Sequence, residues 1–251
     1  MTRTAIIAAM PAELKPLVRS WKHERSNGVD LWRWSFDGGE WIAACAGAGV
    51  DAATRAFAAV ETDGSIDLVI STGWAGALSD EITPSRTYRV SGVVDARTGE
   101  RIETADWVVT EADGETRTHP SRKDKDAARV GHPDLWLVTS ALVADAAEKQ
   151  RLAVTYKAEL VDMEAAGVAR LAQMRGIPFY CIKGISDGYN DQLPDFNRFI
   201  SLGGQFKLAR FVVFALLRPW YWHALIRMGE NSREAARNIA QSLLDFLDEP
   251  G

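Results

Sequence analysis

Short apolar runs recur along this chain and read as strands: TAIIAAM (Thr4–Met10), WIAACA (Trp41–Ala46), DLVISTGWAGAL (Asp67–Leu78, ending in glycines), LWLVTS (Leu135–Ser140) and IPFYCI (Ile177–Ile182). A strand with one face in water alternates apolar and polar residues. A strand covered on both faces does not, and TAIIAAM is of that second kind. Between the runs the spacing changes. GAGVDAATRAFAAV (Gly47–Val60) places Val50, Ala53, Phe57 and Val60 on one helical face. Further helices are expected from Glu13 towards Trp21, over VADAAEKQ (Val143–Gln150) and over EAAGVARLAQMRG (Glu164–Gly176), the last stopped by Gly176. WRWSF (Trp32–Phe36) and WIAACA flank DGGE and read as a hairpin. TYRVSGVVDA (Thr87–Ala96) and AELVDM (Ala158–Met163) are strand-like.

Strands alternating with helices give an α/β fold, a single domain with a central mixed sheet flanked by helices. The last fifty or so residues break the alternation. They read as all-helical, with a stretch near Phe199–Leu217, a break at Pro219 and a final helix near Asn231–Leu247. Residues 1–200 are thus expected to form the α/β core, and residues 201–251 a helical extension of the same domain. EADGETRTHPSRKDKDAAR (Glu111–Arg129) is strongly charged and reads as a surface loop or lid.

Composition narrows the function. The chain has 251 residues, 47% hydrophobic and 25% charged, with a net charge of −5. That balance argues against an extended nucleic-acid surface. Cys45 and Cys181 form neither a disulfide framework nor a CxxC pair. His23, His119, His132 and His223 have no ligand spacing. No metal and no cofactor is expected. The N-terminal apolar stretch is too short for a signal peptide, and no run reaches the roughly 18 apolar residues that span a bilayer. A cytoplasmic location is the expectation.

Chemistry concentrates where strands end. GISDG (Gly184–Gly188) follows the run IPFYCI. In open α/β sheets ligands bind beyond the carboxyl ends of strands, so Asp187 is placed to face one. It equally suits the cap of a following helix. In VDMEAAG, Asp162 and Glu164 flank Met163 where a strand meets a helix. A carboxylate there can accept hydrogen bonds from vicinal hydroxyls, or simply favour the helix dipole. MPAEL puts Glu13 after the first strand, which also suits an ordinary helix start. STGWAGAL puts Gly73 and Gly76 beside Trp74, as a tight turn or as amides facing a bound group. GAG at Gly47–Gly49 is not GxGxxG, so a dinucleotide fingerprint is absent.

Taken together, IIAAMPAEL, GAGVDAAT, VISTGWAGAL, VDMEAAGVA and GISD resemble the nucleoside phosphorylase/nucleosidase superfamily. The likeness is to its methylthioadenosine/S-adenosylhomocysteine nucleosidases. These stretches keep the family's order from residue 6 to residue 187. The resemblance implies a nucleoside phosphorylase-like fold and carries roles over. Asp187 matches the acid that protonates purine N7, with Ser186 orienting it. Glu13 matches the carboxylate that activates water. Glu164 matches the residue that binds the ribose hydroxyls, with Met163 against the sugar. Gly73 and Trp74 fall in the substrate-binding turn.

Cleavage of an N-glycosidic bond passes through an oxocarbenium-like sugar, and adenine leaves readily only when protonated. Two carboxyl groups in different surroundings can take the opposed roles of acid and base. The implied activity is hydrolysis of a 5′-substituted adenosine with release of adenine. Phosphate-dependent phosphorolysis is the alternative on the same fold, and a purine-binding protein with an inactive pocket is the non-enzymatic one. Family members complete the 5′ pocket from a neighbouring subunit, so a homodimer or larger homo-oligomer is implied.

Two features depart from the compact nucleosidases. Trp74 stands where they carry a small residue, and its indole would either fill the space of a phosphate or pack away from it. FVVFALLRPWYWHALIRMG (Phe211–Gly229) has no counterpart in them. It is similar to the extension of the hopanoid-associated nucleosidases, which act on adenosylhopane. Its aromatic residues beside Arg210, Arg218 and Arg227 suit a membrane surface, or a helix pair packed on protein.

Overall fold

The computed structural model describes residues 2–105, 108–110, 116–118, 135–201 and 203–248; at 108–110, 116–118 and 247–248 it describes the backbone alone. In chain order the strands begin with β1 (Thr2–Ala8), β2 (Lys22–Ser26), β3 (Val29–Phe36), β4 (Gly39–Cys45), β5 (Leu68–Ser71), β6 (Trp74–Ala77) and β7 (Thr87–Arg89). They continue with β8 (Gly92–Asp95), β9 (Arg101–Glu103), β10 (Val108–Thr110), β11 (Thr116–Thr118), β12 (Trp136–Thr139), β13 (Leu160–Asp162) and β14 (Phe179–Asp187). The helices are α1 (Pro11–Leu14), α2 (Val50–Glu61), α3 (Ala146–Tyr156), α4 (Ala165–Arg175), α5 (Leu208–Leu216) and α6 (Trp222–Asp248).

One large sheet runs β2-β3-β4-β1-β5-β14-β6-β13-β12-β8-β9, with β7 added beside β14. β10 and β11 pair separately. The apolar runs became its buried centre, where β4, β1, β5, β14 and β6 are mutually parallel. β13 then pairs antiparallel to β6, and β12 and β8 follow β13 in parallel. The sheet is therefore mixed, and its direction reverses once within the core, at β6.

Strand alternation sorts the side chains between two layers. Ala5, Ile7, Val69 and Cys181 face α2 and α4. Ile6, Ala8, Ile70 and Ile182 face α6 and the segment Leu14–Val18. The α2–α4 contact is close because Gly167 offers no side chain: a Cβ there would lie 2.7 Å from Val50 Cγ1. Leu152 of α3 closes a third cluster with Val94, Val138 and Val161.

Several elements differ from expectation. The helix foreseen from Glu13 to Trp21 is one turn, α1, followed by turns. Pro16 has no N–H to continue it. β14 does not end before GISDG but runs to Asp187. The helical stretch near Phe199–Leu217 is a 3-10 turn (Phe196–Phe199) and then α5. α6 begins nine residues earlier than Asn231, directly after a 3-10 turn at Pro219–Tyr221. Most of the charged loop Glu111–Arg129 lies outside the described residues.

Charge is buried at the centre. Lys183 of β14 and Asp162 of β13 pair at 2.9 Å, both side chains fully enclosed. Lys183 Nζ also donates to the Thr72 carbonyl at 3.0 Å. Asp162 accepts from Thr139 Oγ1 at 2.7 Å and from the Ala165 amide at 2.9 Å. Burial alone would drive the ammonium towards the neutral amine, but the charge of Asp162 outweighs it and holds Lys183 protonated. Breaking one partner of such a pair leaves an uncompensated buried charge. Lys183→Met is expected to destabilise the fold by about 3–5 kcal/mol, read as a drop in the urea midpoint. An unchanged midpoint would show the pair to be dispensable.

Candidate active site

Glu13 lies in the single turn of α1 and is 3% exposed. Its carboxyl group is held entirely by backbone. Oε2 accepts from the amides of Ala9 at 2.9 Å and Met10 at 2.8 Å, and Oε1 from the amide of Trp74 at 2.9 Å. The chain just after β1 and the start of β6 are thereby tied to one side chain. Gly73 makes this possible. Its φ is +117°, and a Cβ would sit 2.9 Å from Glu13 Oε1. Burial raises the proton affinity of Glu13, while the Trp74 and Met10 amides and the charge of Lys183 oppose the rise.

Glu164 occupies the N-cap position of α4, yet its side chain does not cap that helix. Oε1 instead accepts from the Gly49 amide at 2.7 Å, across 115 residues of sequence. Oε2 takes the Met163 amide at 3.3 Å. The GAG turn that was uninformative as a motif is therefore the partner of Glu164. Gly47 and Gly49 both have positive φ, and Gly47 packs against the backbone of Gly204. Burial, then the nearby charge of Asp162, push the carboxyl pKa of Glu164 up to about 8. Glu13 adds to the rise, and Lys183 resists it. Glu13, Asp162 and Glu164 thus lie within one electrostatic neighbourhood centred on Lys183. Met163, between two of these carboxylates, is half-buried.

Asp187 ends β14 and is 8% exposed. No helix follows it, so the cap alternative is not realised. Oδ1 accepts from Ser186 Oγ at 2.6 Å, and Oδ2 is bound by the ammonium of Lys149 from α3. Pairing with β6 slips here. Ile185 faces Ala75 and Asp187 faces Gly76, so Ser186 is the extra residue of a β-bulge. Gly76 must be small: a Cβ would lie 3.1 Å from Asp187 Oδ2.

β6 relates the three carboxyl groups. Its first amide, from Trp74, binds Glu13, and Gly76 lies against Asp187. Two residues of extended chain span about 7 Å. Because β13 runs antiparallel to β6, its end returns towards the start of β6 and brings Asp162 and Glu164 to the Glu13 side.

The indole of Trp74 takes the second of its two alternatives and packs on protein. Its Nε1 donates to the Ser232 carbonyl of α6 at 2.9 Å. The residue faces Glu13 through its backbone and the C-terminal helix through its side chain. Lys149 and Lys183 were not foreseen, because a lysine's sequence neighbours do not show what it will meet. One trace existed for Lys149: with Leu152 it forms the i, i+3 pair that is the buried stripe of α3. Among the described residues, no group of three His, Cys, Asp or Glu side chains is gathered as a metal ion would need.

A family model described as the phosphorylase superfamily matches residues 3–210. The chain belongs to the phosphorylase superfamily. No curated protein matches the sequence. Among solved structures, likeness of fold extends over the whole chain. A futalosine hydrolase of Helicobacter pylori superposes with a TM-score of 0.71 at 17% identity, covering 99% of this chain and 98% of the other. A structure described as a putative 5′-methylthioadenosine/S-adenosylhomocysteine nucleosidase of Francisella philomiragia gives 0.70 at 18% identity, covering 100% of both chains. The corresponding nucleosidase of S. pneumoniae, with a transition-state inhibitor, gives 0.67 at 20% identity and 99% of both. At these identities the likeness is one of fold.

The raised Glu164 carboxyl has a consequence for stability. In the unfolded chain it releases its proton near the ordinary value of 4.5, and in the native state near 8. Native stability from this group is full below about pH 4.5 and is lost as pH rises through about 8. Glu164→Gln removes that loss. The stability difference between variant and wild type should therefore shift in favour of the variant from pH 4.5 to 8, in urea unfolding at a series of pH values. A difference independent of pH would show that Glu164 is not held protonated.

Proposed function

We propose that this protein hydrolyses the N-glycosidic bond of a 5′-substituted adenosine and releases adenine. The observation that carries the reading is the grouping of three buried carboxyl groups about β6, Glu13 and Glu164 towards its start and Asp187 at Gly76. Superfamily membership and the nucleosidases among its structural neighbours support it.

In this reading Asp187 delivers a proton to N7 of the purine as the bond to the sugar lengthens. Ser186, hydrogen-bonded to Oδ1, fixes the carboxyl rotamer. Glu13 takes a proton from the attacking water, a task suited to a carboxylate whose proton affinity burial has raised. Glu164 receives the ribose hydroxyls, with Met163 against the ring. Water is favoured over phosphate as nucleophile. The amides that could hold an anion, those of Ala9, Met10 and Trp74, are already donated to Glu13. The indole of Trp74, being turned to α6, plays no part in that choice. By the family likeness we assign a homodimer or larger homo-oligomer, in which a neighbouring subunit completes the 5′ side.

A second reading concerns the 5′ group: a long hydrocarbon, taken up at a bilayer surface through Phe211–Gly229. α5 buries none of its nine residues. Leu208, Val213, Leu216, Leu217, Trp220 and Ile226 are each 59–69% exposed. Arg218 stacks on Phe214, and the exposed Arg210 adds a positive charge suited to anionic lipid. No helix among the described residues is long and apolar enough to cross a membrane, so such contact would be interfacial.

Asp187→Asn should lower adenine release by roughly 10²–10⁴-fold with the circular dichroism spectrum unchanged; full activity would overturn the assignment. Wild type should release adenine and free sugar at the same rate with and without phosphate, whereas a sugar 1-phosphate product would establish phosphorolysis. For the second reading, the protein should float with anionic vesicles and Leu216→Glu/Trp220→Glu should not. Equal recovery of both in the bottom fraction would dismiss it.

A further inference from the structure

Lys149 is 1% exposed, on a helix whose only other buried residue is Leu152. Enclosing an ammonium costs several kcal/mol unless partners repay it, and an aliphatic side chain would fill the same space without that cost. Its partners are Asp187 Oδ2 and the Gly188 carbonyl, the latter at 2.7 Å. No other described cation touches Asp187. Asp191 takes the Gly188 amide at 2.7 Å, but its charge is met by Arg227 of α6 at 2.5 Å. The strands packed against the pair present Gly76 and Val161, neither charged, and the lysine stem passes over Gly76.

Asp187 is thus a carboxylate with both oxygens taken, one by a hydroxyl and one by an ammonium. As a carboxylate it has no proton of its own to give a departing base. The neighbouring ammonium does. Resting on the reading of Asp187 as the acid, we infer that Lys149 positions Asp187 and supplies the proton it delivers. The Nζ–H bond breaks and an O–H bond forms on Asp187. That O–H then breaks as the base nitrogen gains the proton, and the glycosidic electron pair passes to the base. Lys149 is left as a neutral amine and regains a proton from solvent. The proton lost by the attacking water balances it.

Three variants test this by steady-state kinetics across pH, with thermal melting as the folding control. Lys149→Met should lower kcat by about 10²-fold or more near neutral pH, with KM little changed. Its rate should recover towards acid pH, where solvent protonates Asp187 directly. Lys149→Arg keeps the charge but does not give up a proton, so it should be slow at neutral pH as well. A Lys149→Arg enzyme with wild-type rate and pH profile would overturn the inference, as would a Lys149→Met profile lowered equally at every pH. Should Lys149→Met not fold, Lys149→Gln, which still donates to Gly188, carries the same comparison. In the Asp187→Asn background, Lys149→Met should cause no further loss. An Asp187→Asn enzyme with full activity would sink the functional reading itself. An inactive Asp187→Asn beside a wild-type Lys149→Met would sink the inference about Lys149 alone.

Discussion

The ammonium of Lys183 lets this sheet keep acids in its interior. Three carboxyl groups, Glu13, Asp162 and Glu164, lie within reach of its charge. Packed together without it, they would repel one another, and burial would drive all three towards their neutral forms. With it, Asp162 is paired outright. Its remaining hydrogen bonds tie β13 to Thr139 on β12 and to the first amide of α4. Thr139 in turn accepts from the Ala166 amide at 2.9 Å, so the helix start is held by two side chains at once. That anchored start is where Glu164 departs from its own helix to bind Gly49. The polar centre and the packing of α4 on α2 are one arrangement.

Much of the fold could be read from residue order. The unbroken apolar runs pair in parallel at the centre of the sheet, and GAGVDAATRAFAAV buries the face containing Val50's neighbours Ala52, Ala53, Ala56, Phe57 and Val60. Gly176 ends α4 in a left-handed conformation. The failures were local conflicts or distant contacts. Pro16 cut short a helix that the apolar spacing favoured. The strand expected to stop at Ile182 continued, because Lys183, although charged, has its partner inside.

The carboxyl groups at Glu13, Glu164 and Asp187 were visible in sequence as acids near strand ends, and Ser186 as a neighbour of Asp187; the distant partner of each was not. Glu13 is bound by the amide of Trp74, Glu164 by Gly49, and Asp187 by Lys149. These partners are 38 to 115 residues away, beyond anything periodicity can report. Trp74 shows the same limit in reverse. Its unusual size left two placements open, the space of a phosphate or a packing position, and only the contact with a carbonyl on α6 decides between them.

β6 is only four residues long, yet it separates Glu13 from Asp187 by the pitch of an extended chain. Such a spacer cannot stretch, and neither Gly73 before it nor Gly76 within it leaves room for a side chain. The step from the Trp74 amide that binds Glu13 to the Gly76 that lies against Asp187 is thereby fixed by bond lengths, whatever the surface around it carries.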